Sequence, residues 1–157
     1  MRVRVIAVGT RLPAWVRSAC NDYLTRLASR LAVSFVEIEP GRRGAAGSVQ
    51  QAVAAEAKRL LGALRPGDHV AALDEHGTEL STRELAAWLE GRMHEGEDLA
   101  FLIGGPDGLA REVLTRSHFT LSLSRLTLPH ALVRVLLTEQ LYRAHTLLTH
   151  HPYHRDG

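Results

Sequence analysis

The sequence predicts an α/β fold: one domain built on a mostly parallel sheet with helices on both faces. Three observations carry that prediction. Five short apolar, β-branched runs alternate along the chain with five segments of helical periodicity, the order that builds βαβ units. Most of the runs are nearly continuous in apolar residues, as strands buried on both faces are. The chain has 157 residues, 45% hydrophobic and 23% charged, which suits a single domain over 1–157 that buries its core without cross-links.

The elements follow in order. "VRVIAVG" (3–9) is the first strand, closed by a glycine. Pro13 opens a helix to Leu31, with Trp15, Ala19, Tyr23, Leu27 and Leu31 at four-residue steps. "VSFVEIE" (33–39) alternates as a second strand, and "PGRRGAAG" (40–47) is a loop. Ser48 caps a helix to about Leu64, which "RPGD" (65–68) stops. "HVAALD" (69–74) is the third strand and "EHGTEL" (75–80) a turn. Ser81-Thr82-Arg83-Glu84 has capping-box spacing for a helix through Met93. "DLAFLIGG" (98–105) is the fourth strand, 109–117 a short helix and "FTLSLS" (119–124) the fifth strand. A helix of about five turns then runs from Pro129 to His150, ahead of the tail "HPYHRDG".

Ligands of such sheets bind beyond the carboxyl ends of the strands. That rule selects three loops: the one after Asp74, Gly104–Gly108, and Ser124–Pro129. "LIGGPDG" offers close backbone approach but is neither G-x-G-x-x-G nor a P-loop, and it reads equally as a tight turn. Asp74 and Glu75 could serve a ribose, a metal or only the turn. The last helix has more apolar positions than one sheet face needs, so it is either central in a monomer or packed against a partner subunit.

Composition narrows the classes. No apolar run reaches the roughly 18 residues of a membrane span, and the chain enters a strand at once with no cleavage-site pattern. A soluble, cytoplasmic protein with no membrane partner is expected. Cys20 is the single cysteine, which excludes an intrachain disulfide and a cysteine-based zinc site; it is expected to be buried. His150, His151 and His154 raise the question of a metal, but Pro152 interrupts the helical face and no cysteine or acidic partner lies close, so no metal is expected. Of 19 basic residues, 18 are arginine, yet the net charge is only +2, a weak signal for a polyanion. A nucleotide-binding oxidoreductase or regulatory module on a doubly wound sheet is the alternative reading; "VGTRLP" after the first strand has one glycine where a dinucleotide fingerprint has three.

Three long stretches, "IGGPDG" (103–108), "LSLSRLTLPHALVRVLLTEQLYRA" (121–144) and "HPYHR" (151–155), resemble the SPOUT-class, RlmH-type 23S rRNA (pseudouridine-N3)-methyltransferases. "AVGT" (7–10), "YLTRL" (23–27), "EIEPGRRG" (37–44) and "LDEHG" (73–77) extend the likeness over nearly the whole chain. The resemblance implies a single-domain SPOUT fold with a trefoil knot over approximately 98–150, a homodimer, S-adenosylmethionine as methyl donor, and ribosomal RNA on the assembled ribosome as partner. It places donor binding on Leu73, Gly104 and the segment Leu123, Ser124, Arg125, Leu126, Thr127 and Leu128. Pseudouridine N3 must lose a proton as it accepts a methyl group. His154 is the candidate base, with Tyr153 and Arg155 orienting the nucleotide and Arg134 contacting a phosphate or carbonyl. A merely structural tail is the other reading of His154. Arg2, Arg4, Arg42 and Arg43 are candidate phosphate contacts.

Overall fold

A computed structural model describes residues 1–155; Asp156 and Gly157, the end of the single-domain reading, lie outside the described residues. The elements are β1 (Arg2–Val8), α1 (Ala14–Leu27), β2 (Ala32–Ile38), a 3-10 turn (Gly44–Ala46), α2 (Val49–Gly62), β3 (Asp68–Glu79), α3 (Thr82–His94), β4 (Asp98–Ile103), α4 (Arg111–Arg116), β5 (Phe119–Ser122), α5 (His130–Leu148) and a closing 3-10 turn (Pro152–Arg155). The sheet runs in the order β2-β1-β4-β3-β5 with every pair parallel.

Alternation along the strands sorts the core into two halves. Val3, Val5 and Ala7 of β1, with Leu99, Phe101 and Ile103 of β4, face a core closed by α1, α3 and α5. Ile6 and Val8, with Ala100 and Leu102, face a smaller core under α2 and α4. The interior strands β1 and β4 are covered on both sides and buried almost throughout, whereas edge strand β2 keeps exposed and partly exposed positions. Ser48 and Gln51 cap α2 reciprocally, as Ser81 and Glu84 cap α3. Cys20 is buried.

The structure departs from the sequence reading at two elements. α1 stops at Leu27, because its carbonyl accepts from both Arg30 N–H and Leu31 N–H and turns the chain so that Leu31 enters the core just before β2. In the first half of α1 the buried positions are Val16 and Cys20, one beyond the Trp15 and Ala19 of the four-residue series, and Trp15 is 57% exposed; Leu27 and Leu31 are buried as the series has them. The segment 75–80, read as a turn, mostly continues β3. After an irregularity between Leu73 and Thr78 it rejoins β5 at Leu121 and Ser122. Gly77 permits this: a Cβ there would lie 2.7 Å from the Thr120 carbonyl oxygen.

Burial also sets a pH response. His69, His130 and His145 are all held below the usual imidazole pKa of 6.5, chiefly by removal from water. The unfolded chain therefore binds protons near pH 6.5 that the folded chain refuses, so stability is complete above that pH and lost as pH falls below it. Thermal unfolding at pH 7.5 and 5.5 checks this, with a lower Tm expected at 5.5; an unchanged Tm would show that these histidines protonate freely in the fold.

Candidate functional site

The three loops selected by the strand-end rule converge. The carboxyl ends of β3, β4 and β5 and the first turn of α5 enclose a cavity of about 760 Å³. Leu73, Asp74, Glu75 and His76 come from β3; Ile103 ends β4 and the turn Gly104–Leu109 follows it; Leu121 lies in β5 and Leu123 to Pro129, without Arg125, follow it; His130 and Val133 belong to α5. Much of the wall is aliphatic, with glycine backbone on one side and hydroxyl and carboxylate groups on the other, the composition of a small-molecule site.

Each wall is braced. The 104–108 turn closes on itself through Gly108 N–H to Gly105 O at 3.1 Å. It packs so tightly that a Cβ on Gly104 would meet Gly108 C at 2.7 Å and Gly108 O at 2.8 Å. The 123–128 segment is pinned to β3: Ser122 Oγ lies 3.1 Å from Glu75 O and 3.0 Å from Ser124 O, and Thr127 Oγ1 donates to Glu75 Oε2 at 2.9 Å. Leu126 N–H is satisfied by Ser124 Oγ. The N–H groups of Leu123, Ser124, Thr127 and Leu128 find no protein partner among the described residues, which leaves backbone donors along this cavity wall. Ahead of them, Asp74 Oδ1 accepts from His76 N–H at 2.9 Å as a turn former.

Seven of the eight candidate donor-binding residues wall the cavity. Arg125 is the exception: its side chain is 90% exposed and pairs with Glu79 at 3.5 Å on the outer side of the loop. The four candidate catalytic residues do not line the cavity. Arg134, 1% exposed, sits just behind His130, where Nη2 donates to Val8 O and Gly9 O at 3.1 and 2.7 Å. Its Nη1 lies 3.7 Å from Glu37 Oε1, and burial pulls its pKa down. Arg134 therefore holds the end of β1 to α5, while its Nε and Nη1 are buried with no hydrogen-bond partner among the described residues. Tyr153 packs on Tyr142 at 4.5 Å, its hydroxyl donates to Glu139 Oε1 at 3.2 Å, and burial pushes its pKa up. His154 is half-buried with a buried Nδ1 that has no partner among the described residues, and Arg155 is exposed. This tail sits at the far end of α5, whose 19 residues span about 28 Å.

Three of the four arginines read as phosphate contacts are committed internally. Arg2 and Arg4 lie at the amino ends of the strands, away from the cavity, bound to Asp98 and Asp68. Arg43 donates through Nη1 and Nη2 to both oxygens of Glu56 and through Nε to Asp107 at 2.8 Å. Arg42 is exposed.

Two features escaped the sequence reading. Arg43 ties α2, through a Glu56 that is only 2% exposed, to the turn that forms one cavity wall; an arginine and two acids 13 and 64 positions away give no local pattern. His130, given no role in the sequence reading, is a cavity-wall imidazole kept neutral by burial and by the nearby Arg134 charge. Its place at the start of a helix, where partial positive charge disfavours imidazolium, was the available signal. Among the described residues no group of three or more acidic, His or Cys side chains is arranged to hold a metal.

Residues 1–154 match a family model described as "Predicted SPOUT methyltransferase". The protein named "Ribosomal RNA large subunit methyltransferase H" in Nitrosococcus oceani is 50% identical over 155 residues, 99% of each chain. Its namesake in Chromohalobacter salexigens is also 50% identical over 155 residues, 99% of this chain and 100% of that one. Among solved structures, a probable methyltransferase from Bordetella pertussis Tohama I superimposes with a TM-score of 0.57 at 21% identity, over 91% of this chain and 95% of that one. A probable methylase family protein from Haemophilus influenzae gives 0.55 at 17% identity, over 96% and 69%. At such identities these two structures speak for the fold.

Proposed function

The chain belongs to the SPOUT methyltransferase family, and on that premise we propose that it methylates large-subunit ribosomal RNA at N3 of a pseudouridine, with S-adenosylmethionine as donor. The observation that carries this reading is the convergence of the strand-end loops on one largely apolar cavity with unpartnered backbone donors along its 123–128 wall. These residues fit the donor: Leu73, Leu123 and Leu128 offer apolar faces to an adenine, Thr127 and Leu128 N–H suit its ring nitrogens, and Gly104 brings bare backbone against the methionine part. When bound, S-adenosylmethionine supplies a methyl group already activated on a sulfonium. The protein's own work is to hold the uracil ring in line and to take the N3 proton.

His154 is the proposed base, with Tyr153 and Arg155 orienting the nucleotide. The length of α5 separates that tail from the cavity of its own chain, so the tail acts on the cavity of a second copy. A homodimer is supported by the amino half of α5, where Leu132, Val135 and Leu136 remain only partly covered, and by the exposed Trp15 on α1, which packs beside α5. A self-complementary interface on that face would bring each tail towards the partner's cavity. His130 is the second candidate base, favoured by its neutral imidazole in the cavity wall. The trefoil crossing over 98–150 belongs to the same reading, as does action in the cytoplasm, where the substrate is. No helix among the described residues is long and apolar enough to cross a membrane.

Mixing two inactive variants separates the bases. Gly104→Val spoils the cavity and His154→Ala the tail; if the tail works across the dimer, the mixture regains up to about a quarter of wild-type activity, because half the dimers are mixed and each has one intact site. A mixture as inactive as its parents assigns the base to the cavity's own chain, with His130 the residue to test next. The function itself is tested by labelled methyl transfer to ribosomes from a strain lacking this protein, followed by nucleoside mass spectrometry. A new methylated pseudouridine is expected; no incorporation despite donor binding would point to another RNA.

A further inference from the structure

The sheet face covered by α2 and α4 carries a feature that methyl transfer does not use. Leu61 and Leu64, both partly buried, and the exposed Pro66 give the apolar lining of a groove of about 960 Å³, which Arg65, Arg111 and Arg116 also line. All three arginines are exposed, and none forms an ion pair among the described residues. Arg2, Arg4, Arg43, Arg92 and Arg143, by contrast, are each spent on a carboxylate. Glu112 shares the rim and stands four residues before Arg116, yet the two do not pair.

The position of the groove matters as much as its charge. Arg111 follows Leu109 of the cavity wall by two residues, so the groove begins where the cavity ends. It lies on the opposite side of the sheet from α1 and α5, and a dimer built on those helices leaves it open. A guanidinium fork matches the geometry of a phosphate, and an apolar floor accepts sugar edges and base faces.

We propose that this groove docks the phosphate backbone of ribosomal RNA flanking the methylated nucleotide, as a second contact surface separate from the cavity. The inference rests on the reading of the chain as a ribosomal RNA methyltransferase, and it names where that RNA lies beyond the reacting base.

The test compares wild type, the triple variant Arg65→Ala/Arg111→Ala/Arg116→Ala, and Glu112→Gln. Binding to purified ribosomes and to protein-free large-subunit RNA is measured across a salt series, alongside methyl transfer, donor affinity and Tm. All three arginines point to solvent, so the triple variant is expected to keep its Tm, donor affinity and kcat. Its KM for ribosomes is expected to rise roughly tenfold, and the slope of log K against log salt to fall by about 2 to 3 on both RNAs. Glu112→Gln, which removes the one rim carboxylate, should bind RNA a few-fold more tightly. An unchanged salt slope in a folded, active triple variant would overturn the proposal. So would a loss confined to intact ribosomes, which would make the partner an acidic protein surface. If wild type binds RNA through these arginines but methylates no ribosome, the groove stands and the assigned reaction falls.

Discussion

Gly104→Val is expected to weaken S-adenosylmethionine binding by about a hundredfold while the rest of the fold persists. The effect comes through the turn itself. A Cβ at this position points at Gly108, 2.7 Å from its carbonyl carbon and 3.0 Å from Leu109 N, so a side chain pries the 104–108 turn open from within. The obstacles are backbone atoms that cannot rotate away, which places the strain near the upper end of overpacking costs, about 3 kcal/mol. Displacing the turn removes the glycine edge that one side of the cavity consists of. Isothermal titration with the donor reads the effect, and Gly62→Ala is the control: it is helical, has nothing within 4 Å of its Cβ direction, and should bind normally while gaining up to about 1 kcal/mol of stability. Native affinity in a folded Gly104→Val would place the donor elsewhere.

Arg43→Ala is expected to lower Tm by roughly 10 °C and to weaken donor binding as well. The Glu56 carboxylate would keep only the Gly41 N–H as a partner at 3.0 Å, buried inside the protein. Removing one member of a buried pair costs 3–5 kcal/mol, and the low end applies because the Arg43 side chain is 23% exposed; for a chain of this length about 3 kcal/mol corresponds to that shift in Tm. Asp107→Ala separates the two effects. It leaves Arg43 and Glu56 paired, so Tm should stay within a few degrees of wild type, while the turn loses its brace and donor affinity falls several-fold. If Asp107→Ala binds the donor as wild type does, the Arg43 bridge stabilises α2 and has no part in shaping the cavity.

What could be read from the sequence was what neighbours along the chain decide. Ser48 announced the start of α2, Ser81 and Glu84 that of α3, and unbroken apolar runs marked β1 and β4 as interior strands. The rule that parallel sheets bind ligands at one edge then selected, before strand order was known, three loops that line one cavity. What escaped was set by partners far apart. Arg4 read as a phosphate contact because Asp68 is 64 positions away, and Arg134 because the carbonyls it serves lie 125 and 126 positions back. β3 outran its expected end because Gly77 fits against Thr120, a contact with no local sign. The tail motif follows α5 directly in sequence, which hides the length of helix between it and the cavity.

The Arg134 clamp bears on how the chain is made. β1 is an interior strand, paired with β2 on one side and β4 on the other, and its carboxyl end is secured by a guanidinium from the last helix. A strand made early is thus finished by a side chain made 125 positions later. At 5–20 residues per second, synthesis of the chain takes on the order of ten seconds, during which no partial product can satisfy the carbonyls of Val8 and Gly9 with Arg134. Contacts of such long sequence separation make for slow folding. The carboxyl end of β1 is consequently closed only once α5 has been made and has folded back against it.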